Sequence, residues 1–345
     1  MEYLTPSKTN PIYSIAVIAN STKKRYAIQS INYPESKFVT SLKLTENDGQ
    51  MAQLVKIELM NAKTDDGYFS GIFDVMDRVF VYANDGERSR EVFRGFIWER
   101  PYSSAIEKTL TLTCYDNLIY LMKSQVSEYF AAGKDTKTIM NTLCNSWGIK
   151  LSYDYKSITH PKLPLSGYLA DVMIDDVLNE VKKQTGTKYV IRSVQDVMHV
   201  KTVGTNEEIF KIQRTGGGAI STRSDRTMEE VVTKIIITGS SDDNGKTPVE
   251  AVVTGNTSKY GTLQRTQSKD KDTSLADAKK EANTTLKEKG QPKKTFELQA
   301  IDIPWVRKGD KVKVTAGDMN QHYIVLSVTH DASTKKMDLE VELPS

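Results

Sequence analysis

Cysteine and long apolar runs are both scarce in this sequence. Its 345 residues include two cysteines, Cys114 and Cys144, which are too few for a disulfide framework or a four-cysteine zinc site. Two buried, reduced thiols are therefore expected, as in a chain that folds in a reducing cytoplasm. Apolar stretches are no longer than a strand, as at residues 235–237, and residues 1–10 contain none. We expect neither a membrane anchor nor a signal peptide.

An excess of either charge is also missing. The chain has 47 Lys and Arg against 44 Asp and Glu, a formal net charge of +3. This balance excludes a strongly basic protein held on nucleic acid by phosphate neutralisation, so no sequence-specific nucleic-acid partner is expected. It also excludes an acidic disordered chain. The hydrophobic fraction of 38% is that of an ordinary globular protein, and the length predicts two to four domains.

Residue types that would mark a catalytic or metal site do not group in the sequence. Neither a phosphate-binding loop nor a Gly-x-Ser-x-Gly nucleophile motif occurs. The four histidines are His160, His199, His322 and His330. No two of them have the i, i+4 spacing with which histidines on a helix bind zinc. Two carboxylates would suffice for a glycosidase, and a pair could be chosen among Glu99, Glu107 and Glu128. In a chain with 44 acidic residues, however, such a choice does not indicate an active site. We expect no enzyme, no cofactor and no metal.

Alternating apolar and polar residues predict short β-strands in the first third of the chain and again near its end. Val55, Ile57 and Leu59 form one such alternation. Between these blocks the period changes to that of helices, and Asp135 has the position of an N-cap. The predicted class is mainly β with an α+β insert. It comprises a first β block at 1–115, whose short strands fit a closed or nearly closed barrel or a sandwich, an α+β insert domain at 116–210, and a second β block at 211–345 with one helix at about 274–289.

Candidate partner contacts lie in polar, turn-rich segments of the last third. Residues 242–248 and 255–272 are unlikely core segments by composition, and we expect them to protrude from a barrel and to become ordered on assembly. The helix near 274–289 is rich in lysine, although its acidic residues also fit a solvated face. The predicted contact residues are Asn244, Gly245, Lys259, Arg265, Lys279 and Lys280.

Several local motifs resemble one family of proteins. Residues 110–122 look like a strand, a Tyr-Asp pair and a short helix, residues 135–148 look like the helix that follows, and residues 175–178 lie in the next one. Residues 303–312 resemble the family's Pro-Gly-Asp-Lys-Val turn, although Lys308 stands where proline is common. With a closing hairpin at 323–343, the chain resembles the XkdQ/YqbQ-like phage tail hub proteins and, more distantly, the phage late-control protein D group.

The resemblance implies both an architecture and a role. Hub proteins of this kind have two tube-like β-barrels, which here would be residues 1–115 and 211–345, joined by inserted domains, and they form homotrimers around a channel. The trimer would join a hexameric tail tube to a threefold central spike in a contractile-tail baseplate. The implied partners are the tube or tube-initiator protein and the spike, with the tape-measure protein and baseplate wedge as further candidates. In the family's turn, Trp305, Gly309 and Asp310 would be structural residues.

The implied localisation is the bacterial cytoplasm during assembly and then the tail baseplate. A phage, a prophage, an R-type (diffocin-like) bacteriocin and a secretion machine with the same hub fold all remain open. A tail-associated cell-wall hydrolase is one alternative function. A carbohydrate-binding module is another, and its usual mark is an exposed aromatic platform. The tryptophans predict no such platform, because they fall in a strand, on a helix and in a turn: Trp98, Trp147 and Trp305.

Overall fold

A computed structural model gives the structure of the chain, and it describes residues 2–7, 10–29, 38–102, 109–240, 247–269 and 273–344. The chain divides into two compact units. The first, which we call the main unit, consists of Met1–Arg223 and Glu297–Ser345, and the second, the small unit, is Ser224–Phe296. Within the described ranges, no helix has both the length and the apolar composition needed to cross a membrane.

The N-terminal third of the chain is almost entirely β-structure. Its elements are β1 (Glu2–Leu4), β2 (Ile12–Ile18), β3 (Arg25–Gln29), β4 (Val39–Glu46), β5 (Leu54–Met60), β6 (Lys63–Thr64), β7 (Gly67–Tyr68), the short helix α1 (Phe69–Ile72), β8 (Arg78–Asn84), β9 (Ser89–Glu99) and β10 (Thr109–Tyr115). In β5 the predicted alternation is confirmed, because Val55, Ile57 and Leu59 are buried while Lys56 and Glu58 are exposed. One face of this sheet therefore forms a core, and the other faces solvent.

Helices and two small sheets follow. The elements are α2 (Ile119–Lys123), β11 (Gln125–Phe130), α3 (Thr136–Ser146), β12 (Lys150–Asp154), β13 (Leu163–Tyr168), α4 (Leu169–Asp171), a π-helical segment (Val172–Leu178), α5 (Asn179–Thr185), β14 (Tyr189–Val194) and β15 (Val197–Thr202). The predicted cap is confirmed, since the Asp135 side chain accepts the backbone N–H of Thr138 at the start of α3. Strands β11 and β13 form a two-stranded sheet, and β12, β15 and β14 form a three-stranded one.

The remaining elements lead from the main unit into the small unit and back to the main unit. They are β16 (Glu208–Gln213), β17 (Ala219–Thr227), β18 (Lys234–Thr238), β19 (Val249–Thr254), α6 (Thr257–Tyr260), β20 (Gln264–Ser268), α7 (Leu275–Lys289), β21 (Lys293–Ile301), β22 (Lys311–Ala316), β23 (Met319–Asp331) and β24 (Lys336–Glu342). The predicted C-terminal hairpin is confirmed as β23 and β24, which pair antiparallel.

One large sheet joins strands from both ends of the sequence. Its order is β1-β16-β22-β23-β4-β5-β10-β9-β8-β2-β3, and β24, β21 and β17 extend it from β23. The two halves meet where β23 pairs antiparallel with β4, which places Thr329 opposite Thr45 and Asp331 opposite Lys43. The mainly β class is confirmed. Among the described strands the order does not close on itself, so the two barrels, and with them the limits 1–115, 116–210 and 211–345, stay predictions.

Two apolar clusters form much of the core of the main unit. One lies between the strands of the N-terminal third and includes Val17, Ile57, Val79, Leu112 and Cys114. The other packs α2, α3 and the π-helical segment against β14 and β15. Both cysteines are free and buried, as predicted. Burial raises the pKa of the Cys144 thiol to about 12 and raises that of Cys114 as well, so neither thiol is reactive at neutral pH.

The small unit is a three-stranded sheet, β19-β18-β20, with α7 packed on one face. Ile235 and Ile237 of β18 contact Ala278 and Ala282 of the helix in its apolar core. The predicted helix begins at its N-cap Ser274, whose hydroxyl accepts the backbone N–H of Asp277. Strands β18 and β19 pair antiparallel, as a hairpin requires. Within the predicted protruding segment 242–248, which lies between these strands, residues 242–246 are outside the described residues.

The expectation that residues 255–272 become ordered only on assembly is wrong for their described part. In a single chain this segment forms helix α6 and strand β20. Strand β20 pairs parallel with β18, with Gln264 opposite Lys234 and Ser268 opposite Thr238. The polar composition misled because β20 is an edge strand whose backbone hydrogen bonds hold it in place while most of its side chains stay in solvent.

Candidate functional site

The turn at residues 303–312, between β21 and β22, contacts several separate parts of the main unit. Trp305 donates its indole N–H to Oδ2 of Asp85, at 2.8 Å, and so attaches the turn to the β8–β9 connection. Asp310 accepts Nη2 of Arg192 in β14, at 2.7 Å, and the backbone N–H of Arg307, at 2.8 Å. The turn therefore links the N-terminal strands to the β14–β15 hairpin.

A buried ion pair between Glu46 and Arg307 lies at the centre of these contacts. The guanidinium donates to both carboxylate oxygens, at 2.5 and 3.1 Å, and to the carbonyl of Ser193 at 3.1 Å. Burial alone would raise the pKa of Glu46, but Arg307, with Lys308 and Arg192 nearby, lowers it to about 2. Both groups are charged at neutral pH, so the pair fixes the end of β4, the turn and the hairpin to one another.

Two more buried ionisable groups surround this pair. The Asp116 carboxylate accepts the backbone N–H groups of Gln53 and Leu118, each at 2.9 Å, while burial raises its pKa to about 7. Lys308, at the position where the family commonly has proline, donates from Nζ to the carbonyls of Asn47 and Gln50. Burial lowers its pKa. The lysine thus attaches the β4–β5 connection to the turn, which a proline side chain would not do.

Gly309 occupies a position that only glycine fits well. Its φ is +82°, in the left-handed region that L side chains rarely adopt. A Cβ atom would also lie 2.7 Å from Cβ of Val190 in β14. The backbone N–H of Gly309 donates to the carbonyl of Val325, at 2.7 Å, and its carbonyl accepts the N–H of Gly204, at 2.8 Å. The turn can therefore approach the hairpin closely while keeping its backbone hydrogen bonds.

A second buried network joins β2, the end of β21 and β23. The Tyr13 hydroxyl donates to Oδ2 of Asp302 at 2.6 Å, and Nδ1 of His330 lies 2.6 Å from Oδ1. The other ring nitrogen of His330 lies 2.9 Å from the carbonyl of Val306, which can only accept. Nε2 of His330 therefore carries a proton in this contact. Burial alone would lower the pKa of His330, but Asp302 and the Val306 carbonyl raise it.

The tip of the β14–β15 hairpin is attached to β8 and β9. Asp196, at φ +65°, accepts Nη2 of Arg78 at 2.7 Å and lies 3.6 Å from Nη1 of Arg94. The Arg78 guanidinium is 4.5 Å from the centre of the Phe96 ring, a cation–π arrangement. The Asn117 amide donates to the carbonyl of Asp196 at 2.7 Å. These contacts position the mixed part of the chain on the large sheet.

The large sheet turns a polar surface away from its apolar cores across seven strands, from β10 through β5, β4, β23, β24 and β21 to β17. Cross-strand neighbours interact on it: the hydroxyls of Thr45 and Thr329 are 3.2 Å apart, and Nζ of Lys43 is 3.5 Å from Asp331. We call this surface the polar face. Its members are Ser41, Lys43, Thr45, Lys56, Glu58, Thr111, Arg223, Glu297, Gln299, Thr329, Asp331, Asp338 and Glu340.

The predicted contact residues that the structure describes all lie in the small unit. Lys259 is on α6, with Nζ 5.1 Å from the centre of the Tyr260 ring, and Arg265 is exposed on β20. Lys279 and Lys280 are exposed on α7. Asn244 and Gly245 lie outside the described residues. As partner contacts, all six residues stay predictions.

Several residues of the site were not predicted from the sequence, although one signal for them exists. Glu46 follows Leu42 and Leu44 at a spacing of two, and His330 follows Val328 in the same way. Both therefore fall in the buried phase of their strands, where an ionisable residue requires a partner. Their partners Arg307 and Asp302 lie more than 20 residues away in sequence, and nothing in the local pattern identifies them.

The model of the YQBQ-like family matches residues 45–343, which is most of the sequence. This chain belongs to the YQBQ-like family. It is 22% identical over 279 residues to the phage-like element PBSX protein XkdQ of Bacillus subtilis (strain 168), and the match covers 77% of this chain and 84% of that protein. The resemblance found in the sequence motifs is thereby confirmed.

Solved structures with the same fold include two tail proteins. One is the 43 kDa tail protein of prophage MuSo2 from Shewanella oneidensis, with 15% identity, a TM-score of 0.66, and coverage of 96% of this chain and 98% of that one. The other is the tail protein from Neisseria meningitidis MC58, with 12% identity, a TM-score of 0.66, and coverage of 96% of each chain. The YQBQ-like chain thus shares its fold with these two tail proteins over nearly its whole length.

We expect Arg307→Met to lower the free energy of unfolding by about 3–5 kcal/mol, because it leaves the buried Glu46 carboxylate without its partner. Chemical denaturation followed by circular dichroism measures the change. The double variant Glu46→Gln/Arg307→Met should recover part of the loss, since the unpaired charge is then gone. Arg223→Met breaks an exposed ion pair with Glu297 and should cost less than about 1 kcal/mol. Equal losses in Arg307→Met and Arg223→Met would show that burial of the Glu46 carboxylate carries no such penalty.

We expect Gly309→Ala to destabilise the main unit by about 2–4 kcal/mol, from the left-handed backbone and the contact with Val190 together. Gly49→Ala is the matched control, because Gly49 also has a positive φ, of +71°, but nothing lies within 4 Å of its Cβ position. That variant should show the backbone cost alone, about 1–2 kcal/mol. Denaturation midpoints compare the two, and Val190→Ala should partly restore the Gly309→Ala variant.

The stability that His330 supplies should decrease at alkaline pH. Its pKa in the folded chain is raised above the unfolded value of about 6.5. The contribution is therefore complete below about pH 6.5 and is lost as the pH rises through the folded pKa. Unfolding free energies of the natural chain and of His330→Gln, measured between neutral and alkaline pH, should converge as the pH rises. A difference that is constant or grows with pH would show that His330 is not charged when folded.

Proposed function

We propose that this chain is the structural hub of a contractile-tail baseplate. It forms a homotrimeric ring that adapts the hexameric tail tube to the threefold central spike. Membership of the YQBQ-like family and the shared fold of the two tail proteins support a structural role in a tail. The ring, its partners and its place in a phage, prophage or bacteriocin particle are the proposal.

The polar face is the observation that carries this proposal. It extends over seven strands drawn from both ends of the sequence, and most of its side chains are polar or charged, with Met60 and Ile301 as exposed apolar residues in the same strand phase. A protein surface that is buried against a partner is usually enriched in aromatic residues and depleted in Glu, Asp and Lys. The polar face has the opposite composition and suits a wall that stays in water. We assign it to the lining of the central channel.

The ring would close by repeated head-to-tail contacts, because a heterologous interface that returns on itself by rotation generates a cyclic oligomer. Each subunit would contribute two barrel-like regions, so three subunits would present six to the tube. The partners are then two further copies of this chain, the tube or tube-initiator protein and the spike, with the tape-measure protein and baseplate wedge adjacent. Assembly would take place in the bacterial cytoplasm, followed by incorporation into the particle.

The oligomeric state is the first test. Light scattering coupled to size-exclusion chromatography should give three times the chain mass of 38.7 kDa for the isolated protein, or a mass that corresponds to three copies of this chain per complex with its tube or spike protein. Electron microscopy of intact particles should place three copies at the tube–spike junction. Six copies, or a position along the tube, would contradict the proposal.

The channel assignment has a separate test, because both natural cysteines are buried. Lys56→Cys introduces an exposed thiol on the polar face, and Lys137→Cys introduces one on α3, outside it. In the assembled ring, Lys56→Cys should react with a small maleimide but much more slowly with a large polyethylene-glycol maleimide. Lys137→Cys should react with both reagents. Equal reaction of the two variants with the large reagent in the ring would contradict the assignment.

A further inference from the structure

The ribbon formed by β11 and β13 carries an unusual exposed surface in the mixed part of the main unit. The register places Tyr129 opposite Pro164, Ser127 opposite Ser166, and Gln125 opposite Tyr168. Opposed residues of an antiparallel pair project from the same side of the sheet. All six side chains therefore share one face, which we call the tyrosine face.

The opposite side of the ribbon is anchored in the core. Val126, Phe130 and Leu165 are buried in the apolar cluster with α2, α3 and the π-helical segment. At one end, the backbone N–H of Leu169 donates to the carbonyl of Ser124 at 2.8 Å, which fixes the chain directly after Tyr168. The tyrosine face is thus held on a rigid support, and a ligand would not have to order it.

Both tyrosine side chains of the tyrosine face are highly exposed to solvent. Tyr129 is 63% exposed, the highest value among the exposed large apolar and aromatic residues of the described chain, and Tyr168 is 49% exposed. Their rings and hydroxyls have no partner among the described residues. Along the ribbon the two tyrosines are four residue positions apart, which corresponds to a distance of about 13 Å. Two serine hydroxyls lie between them, so aromatic surface alternates with hydrogen-bonding groups.

We propose that the tyrosine face binds a neutral glycan. A pyranose ring presents C–H groups on its faces and hydroxyls around its edge, so it stacks on a tyrosine ring and hydrogen-bonds to its surroundings at the same time. Tyr129 and Tyr168 supply the two stacking surfaces. Ser127, Ser166 and Gln125 supply donors and acceptors for the sugar units between them.

The absence of Asp, Glu, Lys and Arg from the tyrosine face indicates that its glycan is uncharged. None of its six residues is ionisable except through the tyrosine hydroxyls, whereas Asp, Glu, Lys and Arg make up 26% of the whole chain. An anionic polymer would find no cation on this face to pair with. The complementary ligand is a polysaccharide without charged groups, such as a chain of hexoses or N-acetylhexosamines.

The size of the face argues against a protein partner. Two strands about 4.8 Å apart, over a length of about 13 Å, give a surface on the order of 150 Å² with their side chains. A stable protein interface buries about 800 Å² on each partner. A few sugar rings cover the tyrosine face completely, while a protein would use only a small part of its contact area there.

Binding to an array of neutral glycans, followed by affinity electrophoresis in neutral polysaccharides, tests the proposal on the full-length protein. Tyr129→Ala and Tyr168→Ala should each weaken binding on the order of tenfold by removing a stacking surface, and the double variant should abolish it. Tyr129→Phe should bind nearly as well as the natural chain. Tyr68→Ala, at a tyrosine 48% exposed elsewhere, is the matched control and should bind normally.

Two kinds of result would overturn the proposal. Absence of binding to every neutral glycan on the array would do so, as would binding that both alanine variants retain. Particles that fail to assemble with the double variant, without any glycan binding by the natural chain, would assign the tyrosine face to a protein contact instead. Circular dichroism of each variant verifies folding. The result does not depend on the trimeric ring, because each subunit carries its own complete face.

Discussion

The main unit depends on a charged pair kept away from water. Glu46 and Arg307 lie 261 positions apart in sequence and meet in a bidentate contact, with Lys308, Arg192, Asp310 and Asp116 around them. Such a pair is an expensive way to hold strands together, because both groups lose their hydration. Its advantage is that it fixes orientation, since the planar guanidinium donates both hydrogen bonds to a carboxylate only within a narrow range of positions. An apolar contact of similar size would allow the turn, the hairpin and β4 to shift against one another.

Local chemistry made much of the secondary structure predictable. The alternation in β5, the Asp135 and Ser274 caps and the final hairpin all follow from interactions within a few residues. The pairing of β4 with β23 could not be predicted, because a strand's sequence shows which face is buried but not which strand lies beside it. Strand β20 was misjudged for a related reason: an edge strand needs backbone pairing, and its side chains need not be apolar.

The site was predictable only in part. The turn at 303–312 was singled out by its motif, and Gly309 and Asp310 have clear physical roles in it. The groups that surround it come from several distant segments, and for Glu46 the sequence signal is an ionisable residue in the buried phase of its strand. The tyrosine face was not predicted because tryptophan, the largest aromatic side chain, was taken as the mark of a platform, and the structure places the tryptophans in partly buried positions. Tyrosines on a short ribbon become visible as a surface only when the register of the two strands is known.

The junction between β4 and β23 has a consequence for how the protein is made. Thr45 and Thr329 are 284 positions apart, so the ribosome must synthesise nearly the whole chain before the large sheet can join its two halves. Contacts of such long range slow folding and leave strand edges unpaired in the meantime. A chain that stops before β23 has no partner for β4 on that side and cannot form the joined sheet.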